Sequence, residues 1–328
     1  MPEQFIWGIE VFLNGLMAGV LYALVALGFV LIYKASGIFN YAQGVMALFA
    51  AMTLVGIMNG QVPFAHLINA IFGTHVHHFG WHVPALAAIL LTAAVMVLFA
   101  WIVQRVIFRH LVGQEPIILF MATIGLAYFL EGVSDLMWNS EIKKLDVGLP
   151  QGINLAIDEF TYNIFDYGFF IDNLDIVATI IAAILVLALT IFSQYSKQGR
   201  AMRAVADDHQ AALSVGVSLN FVWIMVWSVA GFVALVAGIM WGTKSGVQFS
   251  LSLIALKALP VLMLGGFTSI PGAIVGGLII GVGEKLFEFA IGPMVGGATE
   301  NWFAYVLALV FLVFRPQGLF GEKIIERV

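Results

Sequence analysis

The sequence predicts an all-α integral membrane protein: a polytopic bundle of eight or nine membrane-crossing helices, N-terminus outside and C-terminus cytoplasmic. Three observations carry that expectation. The first is composition: of 328 residues, 62% are hydrophobic and 10% charged, with a mean hydropathy of +1.02. Soluble domains run nearer half apolar and about a quarter charged. The second is segmentation into apolar stretches, because a helix needs about 20 such residues to cross roughly 30 Å of hydrocarbon. The third is an uneven distribution of lysine and arginine between alternate loops, which sets orientation.

The apolar stretches fall at 11–33, 42–58, 84–104, 116–137, 174–193, 220–241, 251–267, 272–291 and 300–314. Several are short or broken by glycine, which leaves the count at eight or nine. The opening "MPEQFIWGIEVFLNG" has neither a positive segment nor a small-residue cleavage site, so the first stretch is expected to remain as a span. Thirty-four glycines without a repeat point to close helix packing and to breaks inside helices. The longest polar connections, about 59–83 and 138–173, are aromatic-rich and too short for a soluble domain, so 1–328 is expected to be a single transmembrane domain. With the N-terminus outside, the inner loops hold Lys34, Arg105, Arg109, Lys197, Arg200, Arg203, Arg315, Lys323 and Arg327. The outer loops hold only Lys143, Lys144 and Lys244, and the inverted arrangement is rejected on that bias.

Several chemistries are excluded. The chain has no cysteine, hence no disulfide or thiolate metal site. Its net charge is −5 and no basic cluster points to nucleic acid. Five histidines (His66, His75, His77, His78 and His82) crowd one outer loop, but nothing fixes them at helical i, i+4 spacing with a carboxylate partner. They are read as an interfacial loop, and no metal site is expected. Clustered nucleophiles or bases at membrane depth, which an intramembrane enzyme would need, are missing from the pattern.

The most highly charged run, "QGRAMRAVADDHQAALSVGVS" at 198–218, lies between two apolar stretches on the inner side. As a helix it is amphipathic. Ala204, Val205, Ala211, Ala212 and Val215 can share one face, with Arg200, Arg203, Asp207 and Asp208 on the others. Gly216 supplies a stop. A short helix within 195–219, joined to spans at both ends, is a lever that a soluble partner can grip; composition alone suits equally a helix lying in the headgroups.

Polar groups at membrane depth are costly and so are candidates for a pathway. In "GIFNYAQGVMA", Asn40 and Gln43 stand beside Gly37 and Gly44, where unwound backbone would be tolerated along a cavity. They either line the route or cap helix ends. Lys257 precedes Pro260 and either contacts substrate, pairs with Glu284 or Glu288, or snorkels outward. The hairpin "LGGFTSIPGAIVGG", with Gly265, Gly266, Pro271, Gly272 and Gly276, permits close backbone approach and is expected to pack at an interface, with backbone that can line a pore.

"QAALSVG", with Gln210, Ala211, Ala212 and Gly216, resembles the E-A-A-x-x-x-G coupling-loop signature of ABC importer permeases, with Gln for Glu and without the downstream I-x-L-P. Four longer blocks are similar to the branched-chain amino acid ABC importer permeases, in that family's order. They are "NGLMAGVLYALVALGFVLIYKASGIFNYAQG", "QYSKQGRAMRAVADDHQAALSVGVSL", "LKALPVLMLGGFTSIPGAIVGGLIIGVGEKL" and "FRPQGLFG". The resemblance covers nearly the whole chain. It implies the ABC importer permease fold in a bacterial or archaeal inner membrane, and a transport subunit rather than an enzyme.

It also implies partners: a homologous second permease in a heterodimer, two ATPase subunits, an external substrate-binding protein and surrounding lipid. The ATPase would grip the coupling helix chiefly through Ala204, Ala211, Ala212 and Leu213, with Arg203 and Asp207 or Asp208 setting its orientation. ATP and Mg would belong to those subunits, with no cofactor on this chain. In keeping with that, "GGLIIGVGEK" has the wrong spacing for G-x-x-x-x-G-K-[ST]. The expected cargo is an amino acid, branched-chain or otherwise apolar; relatives also carry urea, amides and carboxylic acids. Those relatives commonly read N-F-A-H-G-E where this chain has Gln43 for the histidine and Val45 for the acid, which leaves the exact substrate open. An ion-driven secondary transporter is the alternative of another class. It would need no polar lever, and would usually carry acidic residues within its spans as relays.

Overall fold

The computed structural model describes residues 3–75, 78–111, 113–139, 141–207 and 209–321, apart from the side chains of residues 3, 4, 207, 209 and 210. All nine apolar stretches are helical, and the described residues contain no strand, only isolated bridges. In order the helices are α1 (Glu3–Ser36), α2 (Gln43–Met58), α3 (Ala65–Phe72), α4 (Ala85–Val106), α5 (Pro116–Trp138), α6 (Leu155–Phe165) and α7 (Asn173–Tyr195). Then come α8 (Lys197–Asp207), α9 (His209–Ser214), α10 (Leu219–Ser245), α11 (Ile254–Gly265), α12 (Ile270–Val295) and α13 (Phe303–Phe314). The fold is that of an all-helical membrane protein. Among the described residues five helices are long and apolar enough to cross a bilayer: α1, α4, α5, α7 and α10. A sixth crossing follows if α11 and α12, bent by 113° at their junction, act as one span. The apolar α2 and α13 are shorter, at 16 and 12 residues.

The chain divides into two compact units, Met1–Val30 with Leu149–Thr190 and Leu256–Val328, and Leu31–Gly148 with Ile191–Ala255. In the first, α1 and α12 meet at backbone distance. A Cβ on Gly19 would stand 2.5 Å from the Gly277 carbonyl oxygen, and one on Gly281 would stand 2.4 Å from the Gly19 Cα. Two glycines four apart on each helix, Gly15 and Gly19 against Gly277 and Gly281, are what allow this. A satellite core of Ile6, Met17, Phe169 and Ile171 anchors the loop after α6. There the Tyr167 hydroxyl donates to Glu10 Oε2 at 2.9 Å, and the Phe170 N–H to Glu10 Oε1 at 3.1 Å.

The second unit is built around α2. Its residues Gln43 to Gly56 are all buried, packed by α4, α5 and α10. A helix hydrophobic on every side belongs in an interior. Small residues again set the spacing: a Cβ on Gly238 of α10 would lie 2.5 Å from the Ala47 carbonyl oxygen of α2. Gly56 leaves a notch filled by the Trp138 ring, whose Nε1 donates to Thr53 Oγ1 at 3.2 Å. Phe108 stacks on the buried Trp227 with centroids 4.8 Å apart. By contrast α4 carries Leu86, Leu90, Leu91, Leu98 and Val106 exposed, an apolar face suited to hydrocarbon.

Candidate transport site and coupling element

The break between α1 and α2 is a buried polar knot. Gly37, at φ 68°, lets the chain leave α1, and residues 38–42 are non-helical. Asn40 and Gln43 are 0% and 1% exposed. Asn40 Nδ2 donates to Gln43 Oε1 at 3.2 Å and contacts Met46 Sδ at 3.4 Å, while its Oδ1 accepts from the Ala42 N–H at 3.2 Å. Gln43 Nε2 reaches the Ala230 carbonyl of α10 at 3.3 Å. Thr123 of α5 closes the knot, accepting from the Tyr41 N–H and donating to the Phe39 carbonyl, each at 3.1 Å. The N-cap position of α2 is Ala42, which makes no side-chain cap. Asn40 therefore holds the turn and Gln43 ties α2 to α10. Gly44 lies against the 249–253 turn, where a Cβ would sit 2.1 Å from the Ser252 carbonyl oxygen. Thr123 and Ala230 had no signal in the local sequence, being remote in the chain.

Lys257 and Glu284 come together in the other unit. Lys257 Nζ donates to Glu284 Oε1 at 2.5 Å and to the Tyr22 hydroxyl at 3.4 Å, lying 5.5 Å over that ring. The Glu284 side chain is 1% exposed and that of Lys257 is 32% exposed. Among the described residues Glu284 Oε2 has no hydrogen-bond partner. The choice between Glu284 and Glu288 as partner is thus settled for Glu284. Glu288 instead accepts from the Thr299 and Glu300 N–H groups at 2.6 and 3.3 Å, and from the Thr299 hydroxyl. Of the pairings expected for Lys257, the structure shows the ion pair with Glu284.

The hairpin glycines pack within the chain. A Cβ on Gly265 would meet the Gly272 carbonyl oxygen at 2.1 Å, and one on Gly276 the Val261 carbonyl oxygen at 2.5 Å. Ser269 caps α12 by accepting from the Gly272 N–H at 3.0 Å, with Pro271 in the first turn. Gly266, at φ 101°, faces Gly318 and Gly321, and the freed α11 carbonyls of Leu264 and Gly265 accept from the Leu319 and Phe320 N–H groups at 2.8 and 3.2 Å.

The charged stretch is helical on both sides of Asp208, as α8 (Lys197–Asp207) and α9 (His209–Ser214). Asp208 lies outside the described residues, as do the side chains of Asp207 and Gln210. Both helices pack on α10. Met202, Val205 and Ala212 are buried within the chain, Ala204 is half-buried, and Ala211, Leu213 and Val215 are exposed. Of the face drawn from periodicity, Val205 and Ala212 turn inward, while Ala211 and Val215, with Leu213, turn outward. Arg203 reaches back to the last carbonyls of α7, Ser193 at 2.8 Å and Gln194 at 3.2 Å, and Arg200 to the Tyr195 carbonyl at 3.2 Å. Cations at a helix C-terminus satisfy its orphan carbonyls. At Gly199 a Cβ would fall 2.3 Å from the Ser193 carbonyl oxygen, so α7 and α8 join at a close corner. Gly216, at φ 85°, ends α9 as expected, with the Val217 N–H on the Ala212 carbonyl at 3.0 Å. Among the described residues no group of three or more acidic or histidine side chains could hold a metal ion; His77 lies outside them.

Comparison with known proteins places these features in context. Residues 11–315 match the family described as "Branched-chain amino acid transport system / permease component". The high-affinity branched-chain amino acid transport system permease protein BraD of Pseudomonas aeruginosa is 30% identical over the whole of both chains. LivH of Escherichia coli, of the same description, is 28% identical, also over the whole of both. A probable LivH permease of Methanocaldococcus jannaschii is 25% identical over 92% of this chain and 89% of its own. Among solved structures, PsaBC from Streptococcus pneumoniae in complex with Fab gives a TM-score of 0.41 at 15% identity, covering 98% of each chain.

Proposed function

The chain belongs to the branched-chain amino acid transport permease family, a multi-pass inner-membrane transport subunit, and from that premise we propose that it is one permease of an ATP-driven importer. Its cargo is an amino acid, branched-chain or otherwise apolar, delivered by an external binding protein. Its partners are a homologous second permease in a heterodimer and two ATPase subunits, which hold the ATP and Mg. The N-terminus lies outside, and α8 and α9 lie in the cytoplasm, following the cation bias.

The observation that carries this reading is the α8–α9 lever. It joins two long apolar helices, and Arg200 and Arg203 bind it to the end of α7. Its outward side chains, Leu213 and Val215, are 52% and 76% exposed, and exposed apolar groups on a cytoplasmic element suit a protein partner. A push on α9 would be passed to α7 and α10 without slack. In the membrane, Asn40, Gln43 and Gly44 form one hinge-like element of the pathway and Lys257 with Glu284 a second. Reconstitution tests the reading. Proteoliposomes holding both permeases and both ATPases, given binding protein, should take up leucine or valine only with ATP. Uptake driven by an ion gradient without ATP would instead identify a secondary transporter.

A further inference from the structure

Where α4 runs beside α5, a groove of about 480 Å³ is lined by Phe49, Leu98, Phe99, Ile102, Val106 and Phe129 among others, and every lining residue is apolar. Phe49 and Phe99 are buried and meet with ring centroids 6.0 Å apart, which closes the inner wall. Leu98, Ile102, Val106 and Phe129 are exposed, so the groove opens toward the hydrocarbon. A hollow there forfeits dispersion contacts, and a flexible apolar chain recovers them. From Val95 to Val106 the lining rises about 16 Å along α4. That is about half of a roughly 30 Å hydrocarbon core, the depth of one leaflet. A crossing helix of another chain would need a groove along the whole core instead. The two ends also differ in charge. Arg105 directly precedes Val106, and Arg109 follows one short turn later; both are exposed. Among the described residues neither forms an ion pair, and Glu115 at the foot of α5 reaches neither. Toward the other end α5 carries Glu131 and Asp135, which would repel an anion.

We propose that this groove holds one anionic phospholipid, with an acyl chain along Leu98, Ile102 and Val106 and its phosphate on Arg105 and Arg109. Guanidinium groups match phosphate oxygens in pairs, and their long stems reach from membrane depth to the head-group level. In the proposed orientation these arginines stand at the cytoplasmic leaflet, where basic residues between helices recruit anionic head groups. A zwitterionic lipid offers the same chain, but its amine offsets the phosphate charge, so head-group charge is what selects. The bound chain would brace α4 and α5, both of which pack on α2. This site requires only that the chain be embedded in a membrane, so it goes beyond the transport reading and does not depend on it.

Native mass spectrometry of the full chain tests it, after release from nanodiscs of equimolar phosphatidylglycerol and phosphatidylethanolamine with identical acyl chains. The chain should retain one phosphatidylglycerol, at least tenfold in preference to phosphatidylethanolamine. Arg105→Gln/Arg109→Gln should bring the two lipids to equal retention. Ile102→Trp, which fills the groove from an exposed position, should cut retention of phosphatidylglycerol at least tenfold; Leu98→Trp serves the same purpose should that variant fail to insert. Equal retention of both lipids by the wild-type chain would overturn the proposal. So would an undiminished preference in the double arginine variant, or full retention when the groove is filled, since either places the lipid elsewhere on the surface. Repeating the measurement with the homologous permease paired to this chain distinguishes the other occupant. Loss of the lipid on pairing would make the groove a subunit interface and overturn the proposal, whereas retention supports it.

Discussion

Lys257→Met would strand Glu284, a carboxylate 1% exposed whose second oxygen already lacks a partner among the described residues. Removing one member of a buried pair costs about 3–5 kcal/mol, whereas replacing both with apolar groups is often neutral. The single variant should therefore melt well below wild type, and Lys257→Met/Glu284→Leu should recover most of the loss. If the double variant also transports normally, the pair is structural only; a pathway role requires that it fold but fail in uptake. Equal melting of single and double variants would contradict the buried pairing. At Lys143 the prediction is one of pH. Burial holds its folded pKa below 10.5, against the opposing attraction of Glu141, so the unfolded chain binds that proton more tightly. Its contribution to stability thus rises with pH between the folded value and 10.5. Lys143→Met should flatten that rise in melts run just below pH 10.5, and an unchanged slope would contradict the burial. The sequence flagged Lys257, Glu284, Asn40 and Gln43 because polar residues inside apolar runs stand out. Tyr22, Thr123 and Lys143 did not stand out, because their meaning lies in partners 235, 84 and 82 residues away.

At the scale of elements, every apolar stretch became a helix, because about 20 apolar residues leave the backbone no better way to satisfy itself in lipid. Gly216 as a stop was equally legible, since its left-handed φ is a local property. The inward turn of Val205 and Ala212 was not. Periodicity gives a helix's apolar side but not which side α10 covers. The role of Arg203 was also hidden, since its acceptors are backbone carbonyls that any sequence would offer. Arg203→Ala should leave Ser193 and Gln194 carbonyls unsatisfied at the α7 end and loosen the corner. We expect a loss of about 1–3 kcal/mol in stability for those hydrogen bonds, and ATP hydrolysis that continues with reduced uptake. Tight coupling in that variant would show that the corner does not transmit. The α1–α12 crossing yields a complementary prediction. Gly19→Val would drive methyl groups into the Gly277 backbone, and overpacking of this kind costs about 1–3 kcal/mol or more. A lower melting temperature is expected, and a wild-type melt would mean the helices are not in backbone contact.

For the whole molecule, membrane class and family were legible from composition and block order, while the division into two compact units was not, since it depends on contacts distant in the chain. Orientation remains a matter of charge, and this cysteine-free chain allows a direct reading. Glu3→Cys should react with an impermeant thiol reagent from outside and Gln198→Cys only from inside; labelling of both from one side would contradict the topology. In the proposed importer, α8 and α9 carry the ATPase's motion into the membrane through exposed Leu213 and Val215. Replacing both with Asp tests it most directly, because neither is buried and the membrane domain should still fold. Capture of the ATPase by the purified permease pair is the measurement. At least a tenfold loss of capture is expected, with membrane insertion and pairing of the two permeases intact. Capture at the wild-type level by the Leu213→Asp/Val215→Asp variant would contradict it.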